Sequence, residues 1–262
     1  MTSDTYEVLA IKYASVMRRS PGNFIGGDEH DVEMPLDYYV WVIRNAERTV
    51  LVDTGFGAES AAKRGRTIVH PVAEGLAAVG VVPESVENVV ITHMHYDHAG
   101  NLALFPRARY HLQEREMQFA TGPCMCHDVL RHGYEVDDVV RMVRNVYEDR
   151  VQFHDGVSEL APGIELHRIG GHTRGLQSVR VRTRRGWVVL ASDASHFYAH
   201  IEQDRVFPIV VDVHDTLRGY QTIRRLATSP GHVIPGHDPL VLARYPAANE
   251  GTKGWIVRVD AE

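Results

Sequence analysis

The amino-acid sequence predicts an α/β fold in which helices flank layered β-sheets. Apolar runs typical of strands alternate with a helical pattern in the middle of the chain. Several of these runs end directly at a histidine or an aspartate. The 262 residues contain neither repeats nor low-complexity linkers, so we expect a single domain over 1–262.

The first half of the chain predicts a strand pair, a helix and a further strand. Residues 38–44 and 49–53 are apolar runs joined by the polar residues 45–48, as in two paired strands. Residues 70–81 have apolar side chains at helical spacing and a glycine near the end, which indicates a helix. The apolar run at 89–91 then predicts a buried strand.

The second half predicts helices and then more strands. Residues 113–150 are rich in charged side chains and have valines at helical spacing, so we expect a helical insertion too small for a core of its own. Further strands are predicted at 110–112, 164–169, 178–182, 187–191 and 232–235, with a helix at 218–227.

Composition and charge exclude several classes of protein. The 28 basic and 34 acidic residues give a net charge of -6, which provides no general attraction for nucleic acid or anionic membranes. The first twenty residues lack the apolar core of a secretory signal, and no later stretch is long enough to span a bilayer, so we expect a cytoplasmic protein. Cys124 and Cys126 are too close in sequence to link distant elements. A homodimer is compatible with the sequence.

The segment 89–101 carries the clearest chemical pattern. Here His93, His95, Asp97 and His98 directly follow the apolar run. Imidazole and carboxylate groups bind zinc, and also iron, manganese and cobalt. Alternate side chains of an extended segment share one face, so His93 and His95 can bind one metal while the next two turn towards a second. We predict two divalent metal ions, with zinc as first choice and iron, manganese or cobalt as alternatives.

Two metals need further ligands, and three later strands supply them. His172, Asp193 and His237 each follow an apolar run. The glycines before His172 allow the backbone to approach a metal closely. Each residue alone would be better explained as a surface or capping residue. Because the pattern recurs at several strand ends, ligation is the better interpretation.

A site of this kind predicts hydrolysis. Two cations roughly 3.5–4 Å apart can hold a hydroxide between them and polarise a carbonyl or phosphoryl oxygen. Metal binding lowers the pKa of water to about 7, so no serine or cysteine nucleophile is required. Asp193 can relay a proton to the leaving oxygen. We therefore count Asp97 and Asp193 as catalytic candidates as well as ligands.

This arrangement resembles the metallo-β-lactamase superfamily from about residue 52 to residue 237. The motifs are His93-Met94-His95-Tyr96-Asp97-His98, Gly171-His172, Ser192-Asp193 and Gly236-His237. The resemblance implies an αββα sandwich of two mixed β-sheets flanked by helices. It also implies two ligand sets joined by one carboxylate: His93, His95 and His172; Asp97, His98 and His237; and Asp193 bridging both. Asp53 would hold a ligand imidazole from outside.

Within this superfamily the chain looks most like the N-acyl homoserine lactone lactonases and related small-lactone hydrolases. Asp193 stands where the antibiotic-degrading zinc β-lactamases typically have cysteine. The chain has no room for the flavin domain of the iron-containing oxygen reductases or the nucleic-acid-clamping insertion of RNA-processing nucleases. A small-molecule lactone or ester is the implied partner, with neither nucleic acid nor membrane.

The chain departs from the lactonases at one position. They commonly have a tyrosine three residues after the bridging aspartate, where it hydrogen-bonds the substrate. This chain has His196 there, and Tyr198 follows two residues later. We expect His196 to polarise the substrate or protonate the leaving group, with Tyr198 as the substitute candidate. A packed or solvated loop histidine is the alternative.

Our leading hypothesis is a metal-dependent hydrolase that opens a lactone ring by attack of a metal-bridging hydroxide, with a quorum-sensing acyl homoserine lactone or a related small lactone as substrate. The alternatives are a thioesterase or phosphodiesterase with the same dinuclear site, or a non-catalytic zinc-bound binding protein. No basic cluster follows His237 to bind a large anionic thioester. Residues in segments that can line an apolar pocket are Met17, Phe24, Ile25, Phe197, Phe207 and Ile209.

Overall fold

The structure, a computed structural model, describes residues 4–261. The strands are β1 (Glu7–Val16), β2 (Leu36–Arg44), β3 (Thr49–Val52), β4 (Thr67–Ile68), β5 (Asn88–Val90), β6 (Arg109–Gln113), β7 (Val151–His154), β8 (Val157–Ala161), β9 (Ile164–Arg168), β10 (Gln177–Thr183), β11 (Gly186–Ser192), β12 (Val233–Pro235) and β13 (Ile256–Arg258). The helices are α1 (Ala58–Arg64), α2 (Val72–Ala78), α3 (Tyr96–Ala99), α4 (Glu114–Ala120), α5 (Asp128–Arg131), α6 (Val136–Tyr147), α7 (Tyr198–Gln203), α8 (Val213–Leu226) and α9 (Leu240–Arg244).

The described strands form two mixed sheets. The 8-stranded sheet has the order β13-β1-β2-β3-β5-β6-β7, and β4 pairs with β1 beside this path. In this sheet the neighbouring strands β13, β1, β2 and β3 pair antiparallel. The strands β3, β5, β6 and β7 run parallel to one another. The 5-stranded sheet has the order β12-β11-β10-β9-β8, in which only β11 and β12 are parallel.

Alternation of side chains along the strands builds the layers. In β2, Val40 and Val42 pack with the helices on the outer face, while Tyr39 and Trp41 pack against the second sheet. β11 alternates in the same way between the inter-sheet core and the helix α8. The molecule therefore has the layers helix, sheet, sheet and helix, which confirms the αββα sandwich.

Several elements differ from the sequence-based expectation. The predicted helix at 70–81 is the shorter α2, and the one at 218–227 begins earlier, as α8. Strand β1 was not predicted, because it is buried on both faces for much of its length and lacks a regular polar alternation. The segment 113–150 contains α4, α5 and α6. No helix in the described part of the chain is both long and apolar enough to cross a bilayer.

The parallel strand pairs determine where the polar loops meet. β3 and β5 run parallel, so the loops that carry Asp53 and His93 leave the first sheet at one edge. β11 and β12 run parallel, so the loops that carry Asp193 and His237 leave the second sheet together. Since the two sheets are packed face to face, these loops converge at one edge of the sandwich.

Candidate metal centre

The residues of the predicted ligand set converge. His93, His95, His172 and Asp193 form one group and Asp97, His98 and His237 form another, and the potential ligand atoms of each group lie within 4.8 Å of one another. All seven side chains are buried. The grouping is the one that the sequence resemblance implied.

Asp193 lies between the two groups, with one carboxylate oxygen facing each. Its Oδ1 is 3.2 Å from His98 Nε2 and 2.9 Å from His237 Nε2. Its Oδ2 is 3.3 Å from His172 Nε2 and 3.9 Å from His93 Nε2. A carboxylate in this position can contact both members of a metal pair.

The backbone around Asp193 is shaped for close approach. Ser192, the last residue of β11, has a positive φ of 49°, which turns the next residue out of the strand. A Cβ on Gly236 would lie 2.9 Å from Asp193 Oδ1. Only glycine at position 236 therefore leaves room for the carboxylate beside His237.

Contacts outside the cluster hold the imidazoles in place. His98 Nδ1 is 2.7 Å from Asp53 Oδ2, as the resemblance implied. The other ring contacts of this kind join His172 Nδ1 to the Ile209 carbonyl (2.7 Å) and His237 Nδ1 to the Asp37 carbonyl (2.9 Å). In each case an Nδ1–H can donate outward, which directs the Nε2 lone pair into the cluster.

Two buried ring nitrogens show that the cluster suits metal ions. His93 Nε2 and His98 Nε2 are buried and have no hydrogen-bond partner among the described residues. His98 Nε2 lies close to Asp193, but not in hydrogen-bonding geometry. Leaving buried polar atoms without partners is costly. A divalent cation coordinated by these nitrogens would satisfy them, and the imidazole and carboxylate donor set fits zinc.

Burial and the carboxylates act in opposite directions on the imidazoles of the cluster. Burial opposes the charge of His98 and His237, but Asp193 and Asp97 outweigh it and raise the pKa of both rings. Burial lowers the pKa values of His93 and His95 well below their usual range. Burial opposes ionisation of Asp193, but the neighbouring imidazoles outweigh it and hold its pKa well below the usual value. Neutral histidine and ionised aspartate are the forms that bind metals.

His196 lies inside the cluster. Its Nε2 is 3.1 Å from Asp193 Oδ2, and its ring stacks on Phe207 with centroids 3.8 Å apart. Burial lowers the pKa of His196 to about 3. The potential ligand atoms of Asp193, His196 and His237 also lie within 4.8 Å of one another. His196 is therefore buried and packed rather than solvated, and its part in the reaction stays a prediction.

The Tyr198 side chain lies outside the candidate cluster. Its ring packs in the core between the two sheets, with the Arg244 guanidinium carbon 3.6 Å from the ring centroid. It does not line the cavity over the cluster. The substitute role for Tyr198 needs a side chain in the cavity over the cluster, whereas the structure places this side chain in the core between the sheets.

Glu116 is a buried carboxylate that the sequence analysis did not single out. Its oxygens accept hydrogen bonds from the Met94 amide, the Tyr134 and Thr173 hydroxyls and the Gly175 amide. It therefore joins the loop of His93 and His95 to the loop of His172. Nothing in the local pattern of α4 distinguishes it from the exposed glutamate beside it.

The cluster opens into a cavity whose walls include Arg18, Tyr38, Arg66, Tyr96, Phe207 and Ile209. Of the apolar residues expected near the metals, Phe207 and Ile209 lie here, whereas Met17 and Ile25 are exposed. A second cavity of about 390 Å³ shares His95 and His172 with it.

Comparison with known proteins identifies the family. Residues 34–244 match the metallo-beta-lactamase superfamily. The chain is 29% identical over 237 residues to the N-acyl homoserine lactonase AttM of Azorhizobium caulinodans, covering 81% of this chain and 85% of that protein.

Solved structures agree on the fold. A quorum-quenching N-acyl homoserine lactone lactonase has a TM-score of 0.74 at 22% identity, covering 91% of this chain and 94% of that one. AidC, described as a dizinc quorum-quenching lactonase, has a TM-score of 0.68 at 14% identity, covering 90% and 89%. The two-sheet fold, the convergent histidine and aspartate cluster and the match over 34–244 place this chain in the metallo-β-lactamase superfamily, as a hydrolase.

Proposed function

We propose that this hydrolase opens the ring of a small lactone. The observation that carries the proposal is the Asp193 carboxylate, which lies between two ligand groups at the base of a cavity and next to His196. Histidine and aspartate ligands on both sides of one carboxylate are typical of dinuclear hydrolases. The relative AttM is an N-acyl homoserine lactonase, and this chain matches most of its length, which supports a lactone as the substrate class.

The chain's own residues would hold two divalent cations. His93, His95 and His172 would bind one and Asp97, His98 and His237 the other, with Asp193 shared. Such cations polarise a carbonyl oxygen and supply a deprotonated water at neutral pH. We propose zinc, because imidazole and carboxylate suit it and because AidC is described as dizinc.

Asp193 and His196 would transfer the proton that moves during the reaction. Opening a lactone breaks the ring carbon–oxygen bond and leaves an alkoxide that must be protonated. The attacking water loses the proton that the alkoxide needs. Because His196 Nε2 lies 3.1 Å from Asp193 Oδ2, these two groups can carry that proton from one oxygen to the other.

The stacking of His196 on Phe207 fixes the plane of the imidazole. Burial keeps this imidazole neutral at physiological pH, since its pKa is about 3. A neutral imidazole has one N–H, with which it can donate a hydrogen bond to the substrate oxygen. His196 thus takes the place that the tyrosine has in the lactonases.

The space beside the cluster suits an organic substituent. The cavity of about 390 Å³ is lined by Phe119, Leu130, Ile209 and Val211 next to His95. Cavities of about 300–1,000 Å³ with mostly apolar walls are usual for small ligands. An acyl chain or a similar apolar substituent could lie here while the ring lies over the cluster. Acyl homoserine lactones, which carry an acyl chain on a neutral ring, are therefore one class of lactone to test.

A panel of hydrolysable compounds tests the proposal. Purified protein loaded with zinc is assayed with acyl homoserine lactones, plain lactones of several ring sizes, a thioester and a phosphodiester, and its metal content is measured by elemental analysis. We expect about two metals per chain and ring opening as the fastest reaction. Faster thioester or phosphodiester cleavage would favour those activities. Full metal loading without any hydrolysis would favour a binding protein.

A further inference from the structure

We infer that Arg18 and Arg66 bind an anionic group of the substrate, so that the preferred lactone carries a carboxylate. The inference rests on the proposed function and specifies its substrate. Both arginines line the cavity over the cluster. They are distant in sequence from the ligand motifs, and only the fold brings them to the cavity.

Arg66 is fixed on the side of the cavity next to His237. Its Nε donates to the Tyr96 hydroxyl at 3.0 Å, and its Nη1 donates to the Arg64 carbonyl at 2.7 Å. The Tyr96 hydroxyl in turn donates to the Tyr38 hydroxyl at 3.3 Å, and the Tyr38 ring meets the His237 ring edge to face at 5.2 Å. These contacts leave Nη2 of Arg66 without a hydrogen bond to any described residue.

Arg18 is fixed on the side of the cavity next to His196. Its Nε donates to Asn23 Oδ1 at 2.7 Å, and its Nη2 donates to the Gly22 carbonyl. Its guanidinium carbon lies 5.2 Å from the centroid of Phe207, the ring that stacks on His196. The Nη1 nitrogen of Arg18 makes no hydrogen bond to any described residue. Neutral groups thus hold both guanidiniums. In each of them one terminal nitrogen donates no hydrogen bond to a described residue.

Neither Arg18 nor Arg66 forms an ion pair with a carboxylate in the described part of the chain. Their neighbour Arg64 does, because it pairs with Glu135 at 2.8 Å. Burial lowers the pKa of Arg18, and the positive charge of Arg66 acts in the same direction. Burial opposes the charge of Arg66, but Tyr38, Tyr96 and Asp97 outweigh it and raise the pKa of this guanidinium. An anion bound beside both guanidiniums would reduce their mutual repulsion.

A carboxylate fits these arginines better than a neutral group does. Guanidinium groups bind carboxylate oxygens with paired, charge-assisted hydrogen bonds. The protein as a whole carries a net charge of -6, so this positive cavity wall is a local feature that can attract an anion. A neutral lactone would leave both donors without a partner. The geometry therefore favours a lactone ring that carries a free carboxylate.

A matched substrate pair tests the inference. One probe is γ-butyrolactone with a carboxylate on the carbon next to the ring oxygen, and the other is the corresponding carboxamide. The pair differs in charge and hardly in size. The ratio of their kcat/KM values is measured for the zinc-loaded wild type, Arg18→Gln, Arg66→Gln and the double variant. Arg107→Gln removes an exposed arginine outside the cavity and is the control.

We expect the wild type to prefer the carboxylate by about tenfold or more, as hydrogen bonds to charged groups would give. Each single glutamine should reduce that ratio mainly through KM, because the contact is remote from the reacting bond. The double variant should abolish the preference, and Arg107→Gln should retain it. Calorimetric titration of the ring-opened product should show the same order of affinities without turnover.

Three results would overturn the inference. The wild type could open the carboxamide or acyl homoserine lactones at least as well as the carboxylate, which would leave lactone hydrolysis intact. The glutamine variants could lower both rates equally, which would make the arginines structural. If zinc-loaded protein opens no lactone of any kind, the proposed function fails and the inference fails with it. Melting curves and metal content show whether each variant is folded and loaded.

Discussion

The Glu116 carboxylate accepts a hydrogen bond from the backbone N–H of Met94, 2.9 Å away, at the residue between His93 and His95. Its other oxygen accepts from the Thr173 hydroxyl at 2.6 Å, next to His172. The three nitrogen ligands of one group therefore depend on the same buried carboxylate in α4. Burial raises the pKa of Glu116, and its four hydrogen bonds oppose that rise.

Replacing Glu116 by glutamine should destabilise the protein and weaken metal binding. The amide has one accepting oxygen, so its NH₂ group would face two donors. We expect the free energy of unfolding to fall by about 2–4 kcal/mol, measured in urea with chelator present. Glu114→Gln, an exposed change in the same helix, is the control. Equal stability of the two variants would rule out the role given to Glu116.

Replacing Asp193 by asparagine should disrupt the shared ligand. An asparagine has one ligating oxygen and cannot face both groups as the two carboxylate oxygens do. We expect kcat to fall by at least about 100-fold, with less metal bound per chain. Asp212→Asn changes an exposed aspartate and should have no such effect. Near-normal turnover in folded Asp193→Asn protein would contradict the bridging role.

Replacing His196 by alanine separates the two aromatic candidates. If the imidazole transfers a proton or polarises the carbonyl, kcat should fall by about 100-fold or more while metal content is kept. Tyr198→Phe should retain activity, because that hydroxyl lies away from the cavity. The rates are compared on the best lactone of the panel. A larger loss in Tyr198→Phe would reverse the assignment.

Metal removal should destabilise the folded protein reversibly. Chelation would leave His93 Nε2 and His98 Nε2 buried without partners. When free metal exceeds its Kd about 1,000-fold, binding adds about 4 kcal/mol of stability. We expect Tm to fall with chelator and to recover with added zinc. In Asp193→Asn the shift should be smaller, and an unchanged Tm in the wild type would argue against a resident metal.

His111 should contribute to loss of stability in acid. It is buried beside His154 and Asn88, and burial lowers its pKa to about 4. The unfolded chain binds the proton at about pH 6.5, so stability is present above that value and is lost as pH falls towards 4. Across this pH range the free energy of unfolding should fall by about 3 kcal/mol.

Unfolding in urea at neutral and at acidic pH, with chelator present throughout, checks the contribution of His111. We expect the difference between the two pH values to be smaller in His111→Asn than in the wild type. His214→Asn alters an exposed histidine and should follow the wild type. An identical pH dependence in all three proteins would exclude the effect.

Local sequence patterns were enough to predict which side chains form the candidate cluster. His93, His95 and Asp97 indicate a metal site because they lie within five residues of one another. His172 and His237 were recognisable because each follows an apolar strand. Strands such as β2 and β11 were predictable for the same reason, since their composition and alternation lie within a few residues.

The surroundings of the candidate cluster depend on contacts between distant segments, which no local pattern reports. Strand β13 forms because it pairs with β1 from the other end of the chain, and no local pattern reports such a partner. Glu116, Arg18 and Arg66 look like ordinary surface residues in sequence, but burial and distant contacts make them part of the site. Tyr198 is two residues from His196, yet only His196 lines the cavity, because the Tyr198 ring packs in the core between the sheets. The candidate ligand residues can be recognised from short sequence patterns. The orientation of their side chains and the residues that line the cavity depend on packing between segments far apart in the chain.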